Sequence, residues 1–394
     1  MKLICKALFI TFFASIPQLA LAVAVEGLYS ATVEVADQSS AQRQKGFSLA
    51  LAEVLIKTTG TKDIGVRPGV NQALAQASNY MVKYAYLPQL DPVSLSVSDS
   101  AESEPSNVVQ PQIAQTPPGF PLSVQFAKAT VDELMRTLDL PIWPANRPQV
   151  LVWVVEQTAS GYRFVESADL PQGLQSSFQR RGLPYQLPLY DLGDQLALSS
   201  LAAWSLNRQQ LQDAAKRYGV DHWLVLRYSQ LSSGGVRGSW YLTGRKGDFA
   251  GDSALLNTLH VASNGEFLSA SVDQVVDRFA RQMTYFADAE ANLFRLVVEN
   301  IGSFAAFTQL NSYLGGLEIV NSVKVRSIEG DTLVLDLATE GESRVLLRAL
   351  NKEPRLSRVT QVGDSGVEPA NTASPLMTAS PSASVSHFRW QAAR

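Results

Sequence analysis

The alternation of apolar and polar positions near the start of the chain predicts a strand followed by a helix. In "GLYSATVEVAD" the apolar residues recur at every second position, which is the spacing of a half-buried strand. The next stretch, "SAQRQKGFSLALAEVLIKTTG", has helical spacing, with Phe47 and Leu51 on one face. Ser39 and Gln42 fit a capping box at its start, and Gly60 is suited to end it.

A second helix is predicted from the apolar spacing between Val70 and Tyr84. The segments "KYAYLP" and "PLSVQFA" are predicted to pair as strands on either side of residues 91–121. That stretch is rich in Ser and Pro and is too poor in apolar residues to offset the entropy of ordering, so we expect a mobile loop. Thr130 and Glu133 predict a further capping box at the start of "TVDELMRTLDL".

Strands and helices interleave in the central part of the chain. The continuous apolar run "PQVLVWVVEQ" is typical of a strand covered on both faces. Gly182 and Gly219 follow helical patterns and are expected to end them. "VDHWLVLRYSQL" and "VRGSWYLTG" are predicted to form a hairpin around Gly234 and Gly235. This order predicts a mixed sheet with helices packed on it.

The segment after residue 290 has the clearest pattern. "FRLVVEN" predicts a strand, "GSFAAFTQLNSYLGG" a helix, "EIVNSVKVRSIEGDTLVLDLATEG" a hairpin and "ESRVLLRAL" a last helix. A β-α-β-β-α order of this kind is typical of a small ferredoxin-like unit. The residues that follow are rich in Ser and Pro, which predicts a disordered tail.

The fold class is therefore predicted to be α/β and α+β, with several modules, mixed sheets covered by helices and a C-terminal β-α-β-β-α ferredoxin-like unit. The predicted division is a signal peptide, an N-terminal α/β module with its mobile loop, a central α/β module, a small β-α-β-β-α module and a disordered tail. These segments are expected at residues 1–22, 23–143, 144–290, 291–352 and 353–394.

The first residues predict export. "MKLICKALFITFFASIPQLALA" has a basic start, a short apolar stretch and an Ala-x-Ala site, which predicts a signal peptide that is cleaved after Ala22 and a periplasmic location. The single cysteine, Cys5, would be removed with it, which excludes disulfides and thiolate catalysis in the mature chain. The net charge of −3, or about −5 without Lys2 and Lys6, lacks the basic footprint of a nucleic-acid partner. No later segment is apolar enough over about 20 residues for an integral membrane span.

The three histidines are candidate catalytic or metal-binding residues. His222 follows Asp221 at the point where a predicted helix ends and a strand begins. Because adjacent strand residues point to opposite faces, Asp221 is poorly placed to orient His222 as a general base. His260 lies in a predicted strand and His387 in the predicted tail. Their spacing fits no zinc motif. The glycines and lysine of "GSWYLTGRKGD" do not have the spacing of a phosphate-binding loop, and a solvated turn with Arg245 and Lys246 is expected there.

Paired carboxylates are the remaining catalytic candidate. Asp191 and Asp194 lie near a strand end, where α/β sheets often bind ligands, and hydrolysis of glycans needs two well-placed acids. Asp194, just before "QLALSSLA", also fits a helix start, and Asp132 with Glu133 fits the first turn of another helix. We therefore predict no catalytic residue, no cofactor and no metal site.

The end of the chain, "HFRWQAAR", combines aromatic and basic residues after a Ser/Pro-rich stretch. Phe388 and Trp390 are therefore candidate anchors of a short peptide that docks on a partner. The five other tryptophans lie in or beside apolar runs, for which core packing is expected.

The pieces "SATVEVADQSSAQRQKGFSLALAEVLIKTTG", "NRPQVLVWVV" and "LNRQQLQDAAKRYGVDHWLVLRYSQ" resemble a group of gammaproteobacterial secreted proteins, domain of unknown function 2066. The resemblance covers nearly all of the chain outside the signal and the two mobile segments, and its motifs are structural. It implies an uncharacterised protein and transfers no catalytic residue. At the level of fold alone, the central module is similar to α/β domains of periplasmic assembly proteins, such as the amino-terminal domain of the Tol system's propeller protein.

The sequence therefore predicts a non-enzymatic binding or scaffold factor that engages unidentified proteins of the cell envelope. The alternative is a carboxylate-dependent hydrolase of envelope glycan or peptide. A third interpretation is small-ligand sensing between the first two modules, which the rigid "PIWPANRP" connection joins.

Overall fold

The structure is a computed structural model that describes residues 27–88, 119–166, 168–170, 172–244, 254–287, 292–359 and 384–391. These residues form ten α-helices and fourteen strands. The helices, in chain order α1 to α10, are Ser40–Thr59, Val70–Ala75, Lys128–Thr137, Gln172–Arg181, Leu192–Ala197, Ser200–Trp204, Arg208–Lys216, Asn264–Met283, Phe304–Gly315 and Ser343–Lys352. The strands, β1 to β14, are Ser30–Val35, Met81–Tyr86, Phe120–Phe126, Val150–Thr158, Gly161–Phe164, Tyr185–Gln186, His222–Gln230, Val236–Gly244, Ala254–Val261, Asn292–Glu299, Val320–Glu329, Thr332–Thr339, Leu356–Arg358 and Ser384–Trp390.

The chain divides into two compact units. The larger unit comprises residues 24–147, 171–183 and 268–394, and the smaller unit comprises residues 148–170 and 184–267 together with residues 1–23, which lie outside the described part. The predicted first and third modules both fall within the larger unit. The described helices and strands confirm the mixed α/β and α+β fold class.

The larger unit contains two sheets. One is antiparallel with the strand order β1-β3-β2, which confirms the predicted pairing of "KYAYLP" with "PLSVQFA". The other has the order β11-β12-β10-β14-β13, and β10 pairs with β14 in parallel. The elements β10, α9, β11, β12 and α10 reproduce the predicted β-α-β-β-α order. Apolar side chains from residues 31–142 and 285–390 form one continuous core in this unit.

The ends of α1 follow the local sequence. The Ser39 hydroxyl accepts a hydrogen bond of 3.3 Å from the backbone N–H of Gln42, as the capping box predicts. Gly60 ends the helix with a φ of 69°, and its N–H donates to the carbonyl oxygen of Ile56. This left-handed conformation favours glycine because it has no Cβ. The buried residues Phe47 and Leu51 lie on the predicted face.

The smaller unit contains a six-stranded mixed sheet. Its order is β5-β4-β7-β8-β9, with β6 paired to β4. β4 pairs in parallel with β7 and is buried from Val150 to Glu156, as its continuous apolar run predicts. The β7–β8 hairpin turns at Gly234 and Gly235, whose φ values are 85° and 84°. Both positions require φ values that residues other than glycine rarely adopt.

Several local predictions are wrong. The helix predicted between Val70 and Tyr84 ends at Ala75, because Met81–Tyr86 pairs with β3. The capping box at Thr130 is absent because α3 begins two residues earlier, at Lys128, and Asp132 and Glu133 consequently lie beyond its first turn. Of the predicted mobile loop, residues 120–121 belong to β3, and residues 91–118 lie outside the described part.

The predicted disordered tail is also wrong at two places. Residues Leu356–Arg358 form β13 and residues Ser384–Trp390 form β14, and the two strands pair with each other in the larger unit. Residues 360–383 lie outside the described part, as do Arg245 and Lys246 of the predicted solvated turn.

Candidate functional site

The three histidines lie on three different strands. His222 is the first residue of β7, after a helix end at which Gly219 has a φ of 63°, and its side chain is 2% exposed. It therefore lies where the sequence places it, at the change from helix to strand. His260 is exposed on β9, and His387 is half-buried on β14. In the described part of the chain, no group of three His, Cys, Asp or Glu side chains is arranged to hold a metal ion.

The predicted acid pair, Asp191 and Asp194, lies at the start of α5. Asp191 is the N-cap residue, and its carboxylate accepts a hydrogen bond of 3.0 Å from the backbone N–H of Asp194. Arg217 donates to both oxygens of Asp191 at 2.5 Å and to Asp194 at 2.9 Å. These hydrogen bonds from the Arg217 guanidinium hold the pKa of the Asp191 carboxyl well below its usual range.

Asp194 accepts hydrogen bonds from two further groups. The Tyr218 hydroxyl donates a hydrogen bond to Asp194, and the backbone N–H of Tyr190 donates at 2.8 Å. Burial, reinforced by the bond to Asp194, raises the pKa of Tyr218 to about 12. The two acids are therefore occupied by capping and ion pairing. The helix start expected at Asp194 lies three residues earlier, at Asp191.

These hydrogen bonds hold α5 with an acidic residue buried and its leucines exposed. Asp194 is 8% exposed, whereas Leu192 and Leu196, one helical turn apart, are 70% and 80% exposed. Leu189 and Leu201, on either side of the helix, are also exposed. A surface helix normally buries its apolar stripe and exposes its charges. Helix α5 instead buries Asp194 and exposes Leu192 and Leu196. Residues 189–201 are here called the leucine segment.

A second group of polar side chains gathers in the larger unit. It is called the charged cluster, and its members are Tyr29, Lys128, Asp132, Arg136, Tyr285, Glu318 and Glu340. Lys128, Asp132 and Arg136 are four residues apart and share one face of α3. The other members come from distant parts of the chain.

Lys128 is the centre of one half of the charged cluster. Its ammonium lies 2.8 Å from Asp132, 3.1 Å from Glu318 and 2.9 Å from the hydroxyl of Tyr29, which itself donates to Asp132 at 2.7 Å. Burial disfavours the charged form of Lys128, but the hydrogen bonds to Asp132 and Tyr29 outweigh it and raise the pKa of the ammonium. The backbone N–H of Ala145 donates to Glu318 at 2.8 Å.

Glu340 is the centre of the other half. Arg136 donates to its two oxygens at 3.2 and 2.9 Å, and the Tyr285 hydroxyl donates at 3.1 Å. The paired Glu340 raises the pKa of Arg136, and burial raises the pKa of Tyr285 far above its ordinary value. Both phenols of the charged cluster are consequently neutral, since burial also raises the pKa of Tyr29.

In the charged cluster, each carboxylate is paired with a cation. Hydrolysis by an acid pair requires a gap in which a substrate bond or a water lies between two carboxylates. Here the Lys128 ammonium lies between Asp132 and Glu318. From the sequence, Asp132 is predicted only to lie in the first turn of a helix. The four-residue spacing along α3 was a local sign of a charged face, but nothing local marks Glu318 or Glu340 as its partners.

The C-terminal peptide docks on its own chain. β14 lies between β10 and β13, and the two predicted anchors, Phe388 and Trp390, are 0% and 2% exposed. The Arg355 guanidinium lies 4.9 Å from the centre of the Trp390 ring. The interpretation of "HFRWQAAR" as a free docking peptide for a partner is therefore wrong, although its two aromatic residues are anchors.

None of the described helices combines the length with the apolar character that a membrane crossing requires.

Comparison with known proteins indicates an uncharacterised family. Residues 22–144 match the family described as domain of unknown function 8605, so the chain is similar to a domain of unknown function, although not to the family 2066 named from the sequence. No curated protein matches the chain. A solved structure titled "Crystal structure of uncharacterized protein" is 12% identical, covers 34% of this chain and 88% of its own, and has a TM-score of 0.13.

Proposed function

We propose that the protein is a non-enzymatic binding factor of the bacterial cell envelope that engages a partner protein through the leucine segment. In this proposal it is exported to the periplasm, with cleavage after Ala22. The observation that carries the proposal is the inverted helix α5, which buries Asp194 and exposes Leu192 and Leu196.

Exposed leucines are common singly, but several within thirteen residues are a feature of interaction surfaces. The segment has four exposed leucines, Leu189, Leu192, Leu196 and Leu201, and each is between 58% and 80% accessible. Covering them removes apolar area from water, at roughly 25 cal/mol per Å². The network of Asp191, Asp194 and Arg217 holds the helix in this orientation, so the surface exists before the partner arrives.

The composition of the leucine segment favours a protein partner over a lipid surface. Its sequence, "LYDLGDQLALSSL", contains two aspartates and no lysine or arginine. Helices that lie on anionic membranes carry basic residues beside their apolar face. Four leucines are also too few for the roughly 800 Å² per partner that stable interfaces bury. A short amphipathic helix of an envelope protein, with its own apolar stripe, fits this surface best.

Hydrolysis receives less support than binding. Asp191 and Asp194 are both bonded to Arg217, and Lys128 lies between the carboxylates of the charged cluster. In both places the carboxylates are paired with cations rather than left free to act as an acid and a base.

The test uses a photo-crosslinking amino acid at Leu196 in the full chain, expressed with its signal. Leu256, which is 56% exposed on β9 of the same unit, is the matched control position. We expect a discrete adduct with a protein at Leu196 and none at Leu256, and mass spectrometry should map the crosslink to an apolar helical segment. A synthetic peptide of that segment should bind the purified mature protein, and Leu192→Gln should weaken this binding at least tenfold.

Three outcomes would overturn the proposal. They are equal labelling at both positions, an adduct with lipid or with a second copy of the chain, and a mapped peptide whose binding Leu192→Gln leaves unchanged. Amino-terminal sequencing of the exported protein tests the location separately, with Val23 expected as its first residue.

A further inference from the structure

Strand β11 forms one edge of the five-stranded sheet in the larger unit. It is ten residues long, and within the described part of the chain β12 is the only strand that pairs with it. The backbone N–H and C=O groups on its outer side form a row that can pair with a further strand. The strand at the opposite edge, β13, has only three residues. An extended segment is therefore better accommodated at β11.

The core side of the sheet continues past its helices at β11. Val325 and Ile328 pair with Leu335 and Leu333, two buried residues of β12. Residues that are paired across neighbouring strands share a face, so Val325 and Ile328 point to the core side as well. They are nevertheless 46% and 65% exposed. The end of β11 thus presents uncovered apolar side chains beside an open backbone edge.

The start of helix α9 lies at the same end of β11. The backbone N–H of Ile301 donates a hydrogen bond of 2.8 Å to the carbonyl oxygen of Asp331, in the turn between β11 and β12. Phe304 is 80% exposed, and its ring centre lies 6.1 Å from that of Phe307, which packs against the core. Residues 300–317 contain no charged side chain. The apolar residues of this region are here called the edge surface: Phe304, Phe307, Val325 and Ile328.

The charges on β11 favour an acidic partner. Lys324 is exposed and has no ion-pair partner among the described residues, because Asp336, which lies opposite on β12, is bonded by Arg295 and Arg326 at 2.9 and 3.0 Å. This part of the sheet therefore has three cations and one carboxylate. The next carboxylate along the strand, Glu329, lies roughly 16 Å from Lys324 at 3.3 Å per residue. That separation exceeds the screening length of about 8 Å at physiological ionic strength.

A second copy of the chain does not fit this edge. Antiparallel pairing of two β11 strands centred on Val325 would place Lys324 opposite Arg326 of the other copy, and like charges in that position are destabilising. Two β-bulges also interrupt β11, one on each side of Ser322–Val325. Bulges oppose the pairing of long, flat edges. The edge is therefore suited to a short segment of opposite charge.

We propose that the edge of β11 binds a short extended segment of another protein, in which apolar residues alternate with acidic ones. The segment would join the sheet as an antiparallel strand, with its backbone bonded to the outer side of β11. Its apolar side chains would cover the edge surface, and its carboxylates would lie opposite Lys324 and Arg326. This interaction goes beyond the partner binding proposed for the leucine segment, because it lies in the other unit and uses none of the same residues.

Three peptides separate the pattern from the charge. Fluorescence anisotropy with the mature full chain would use a labelled peptide in which three valines alternate with three glutamates between threonine ends. A peptide of the same composition, with the valines and glutamates in two blocks, cannot place its apolar side chains on one face and should bind at least tenfold more weakly. A third peptide, with lysine in place of each glutamate, should also bind about tenfold more weakly.

Methylation of the peptide backbone tests strand addition directly. In a strand, the N–H groups of successive residues point to opposite edges. Methylating the valine nitrogens therefore removes the donors of one edge, and methylating the glutamate nitrogens removes those of the other. We expect one methylated peptide to bind at least tenfold more weakly than the parent and the other to bind within about threefold of it.

Variants of the protein locate the site. Lys324→Glu should weaken binding of the glutamate peptide about fivefold and make the lysine peptide the tighter ligand. Lys83→Glu, at an exposed lysine on β2, an edge strand of the same unit, is the matched control and should change neither affinity. Ile328→Thr keeps a β-branched side chain and should weaken binding about fourfold, the effect of one buried methylene. Leu192→Gln should leave peptide binding unchanged, which separates this site from the leucine segment.

The proposal is overturned if the glutamate peptide does not bind, or if the block or lysine peptide binds the wild-type chain equally well. Equal losses for the two methylated peptides, or equal effects of Lys83→Glu and Lys324→Glu, would also contradict it. Thermal unfolding of each variant shows whether a loss of binding reflects loss of folding. The methylated peptides are tested on the wild-type chain, so misfolding of a variant leaves that comparison decisive.

Discussion

The guanidinium of Arg147 donates a hydrogen bond of 2.6 Å to the carbonyl oxygen of Gly182, in the interior of the larger unit. The Arg147 side chain is fully buried, and its other N–H groups donate to the carbonyl oxygens of Lys57, Trp143 and Pro144. Lys57 and Gly182 lie at the C-terminal ends of α1 and α4, where the helix dipole is negative. Burial lowers the pKa of Arg147 to about 9, and the converging carbonyl oxygens replace the carboxylate that a buried cation normally requires.

The first prediction concerns Gly182, which has a φ of 65° and whose added Cβ would lie 2.5 Å from Nη1 of Arg147. Gly182→Ala should therefore combine the left-handed backbone penalty with a steric clash. Gly330, with a φ of 64° and open space around it, isolates the backbone penalty, about 1 kcal/mol. We expect Gly182→Ala to lower the free energy of unfolding by about 2 kcal/mol more than Gly330→Ala. Equal losses in urea titrations would contradict this.

The second prediction concerns the guanidinium itself. Arg147→Lys keeps the positive charge but cannot reach four carbonyl oxygens with one compact ammonium. We expect a loss of about 3 kcal/mol in the free energy of unfolding, because buried acceptors and a buried charge remain unpaired. Arg344→Lys, at an exposed ion pair, should change it by less than about 0.5 kcal/mol. Chemical denaturation measures both, and a small effect of Arg147→Lys would show that the carbonyl contacts are not needed.

The third prediction separates two leucines that are two residues apart. Leu196 is 80% exposed and Leu198 is 2% exposed. Leu196→Ala should change the free energy of unfolding by less than about 0.5 kcal/mol, whereas Leu198→Ala should lower it by about 3 kcal/mol. If Leu196→Ala destabilises the isolated protein as much as Leu198→Ala, the leucine segment is part of a core and not a free surface.

The fourth prediction tests whether the C-terminal peptide serves the fold. Phe388→Ala should cost about 3 kcal/mol of stability, because it opens a cavity where the side chain is fully buried. Val385→Ala, on the same strand but 49% exposed, is the control and should cost less than about 1 kcal/mol. Thermal and urea unfolding with the two variants side by side give the comparison. If Phe388→Ala leaves the stability unchanged, the hypothesis that the C-terminal peptide is free to dock on a partner is restored.

The fifth prediction is a dependence on pH. The Arg217 guanidinium lowers the pKa of Asp191 in the folded state below its unfolded value near 4. A carboxyl with a depressed folded pKa contributes stability above the unfolded pKa and loses that contribution as the pH falls through the folded pKa. Asp191→Asn keeps the N-cap acceptor and removes the charge. The difference in melting temperature between wild type and this variant should therefore be constant above about pH 5 and shrink below about pH 4. A difference that is as large at pH 3 as at pH 7 would contradict it.

Local signals in the sequence were sufficient for much of the architecture. Ser39 and Gly60 mark the ends of α1, and Gly234 with Gly235 marks a hairpin, because caps and left-handed turns depend on residues close together in the chain. The same signals misplaced the start of α3 at Thr130. There the helix begins at Lys128, with no side-chain cap on its first N–H groups.

The candidate sites depended on contacts between distant residues. Asp194 indicated a helix start, but the sequence did not show that Arg217 and Tyr218 would bind this acid in a buried position and leave Leu192 exposed. Phe388 and Trp390 of "HFRWQAAR" were predicted as anchors, and their partner is the sheet of the same chain.

The sequence by itself determined the mixed α/β class, the order of strands and helices, and most of the turns, because these follow from periodicity and from residues a few positions apart. Only the tertiary structure decided which charges meet. The partners Lys128 and Glu318 are separated by 190 positions, and Arg136 and Glu340 by 204. No local pattern encodes such a pairing, because it arises when elements with separate local signals pack around a common core.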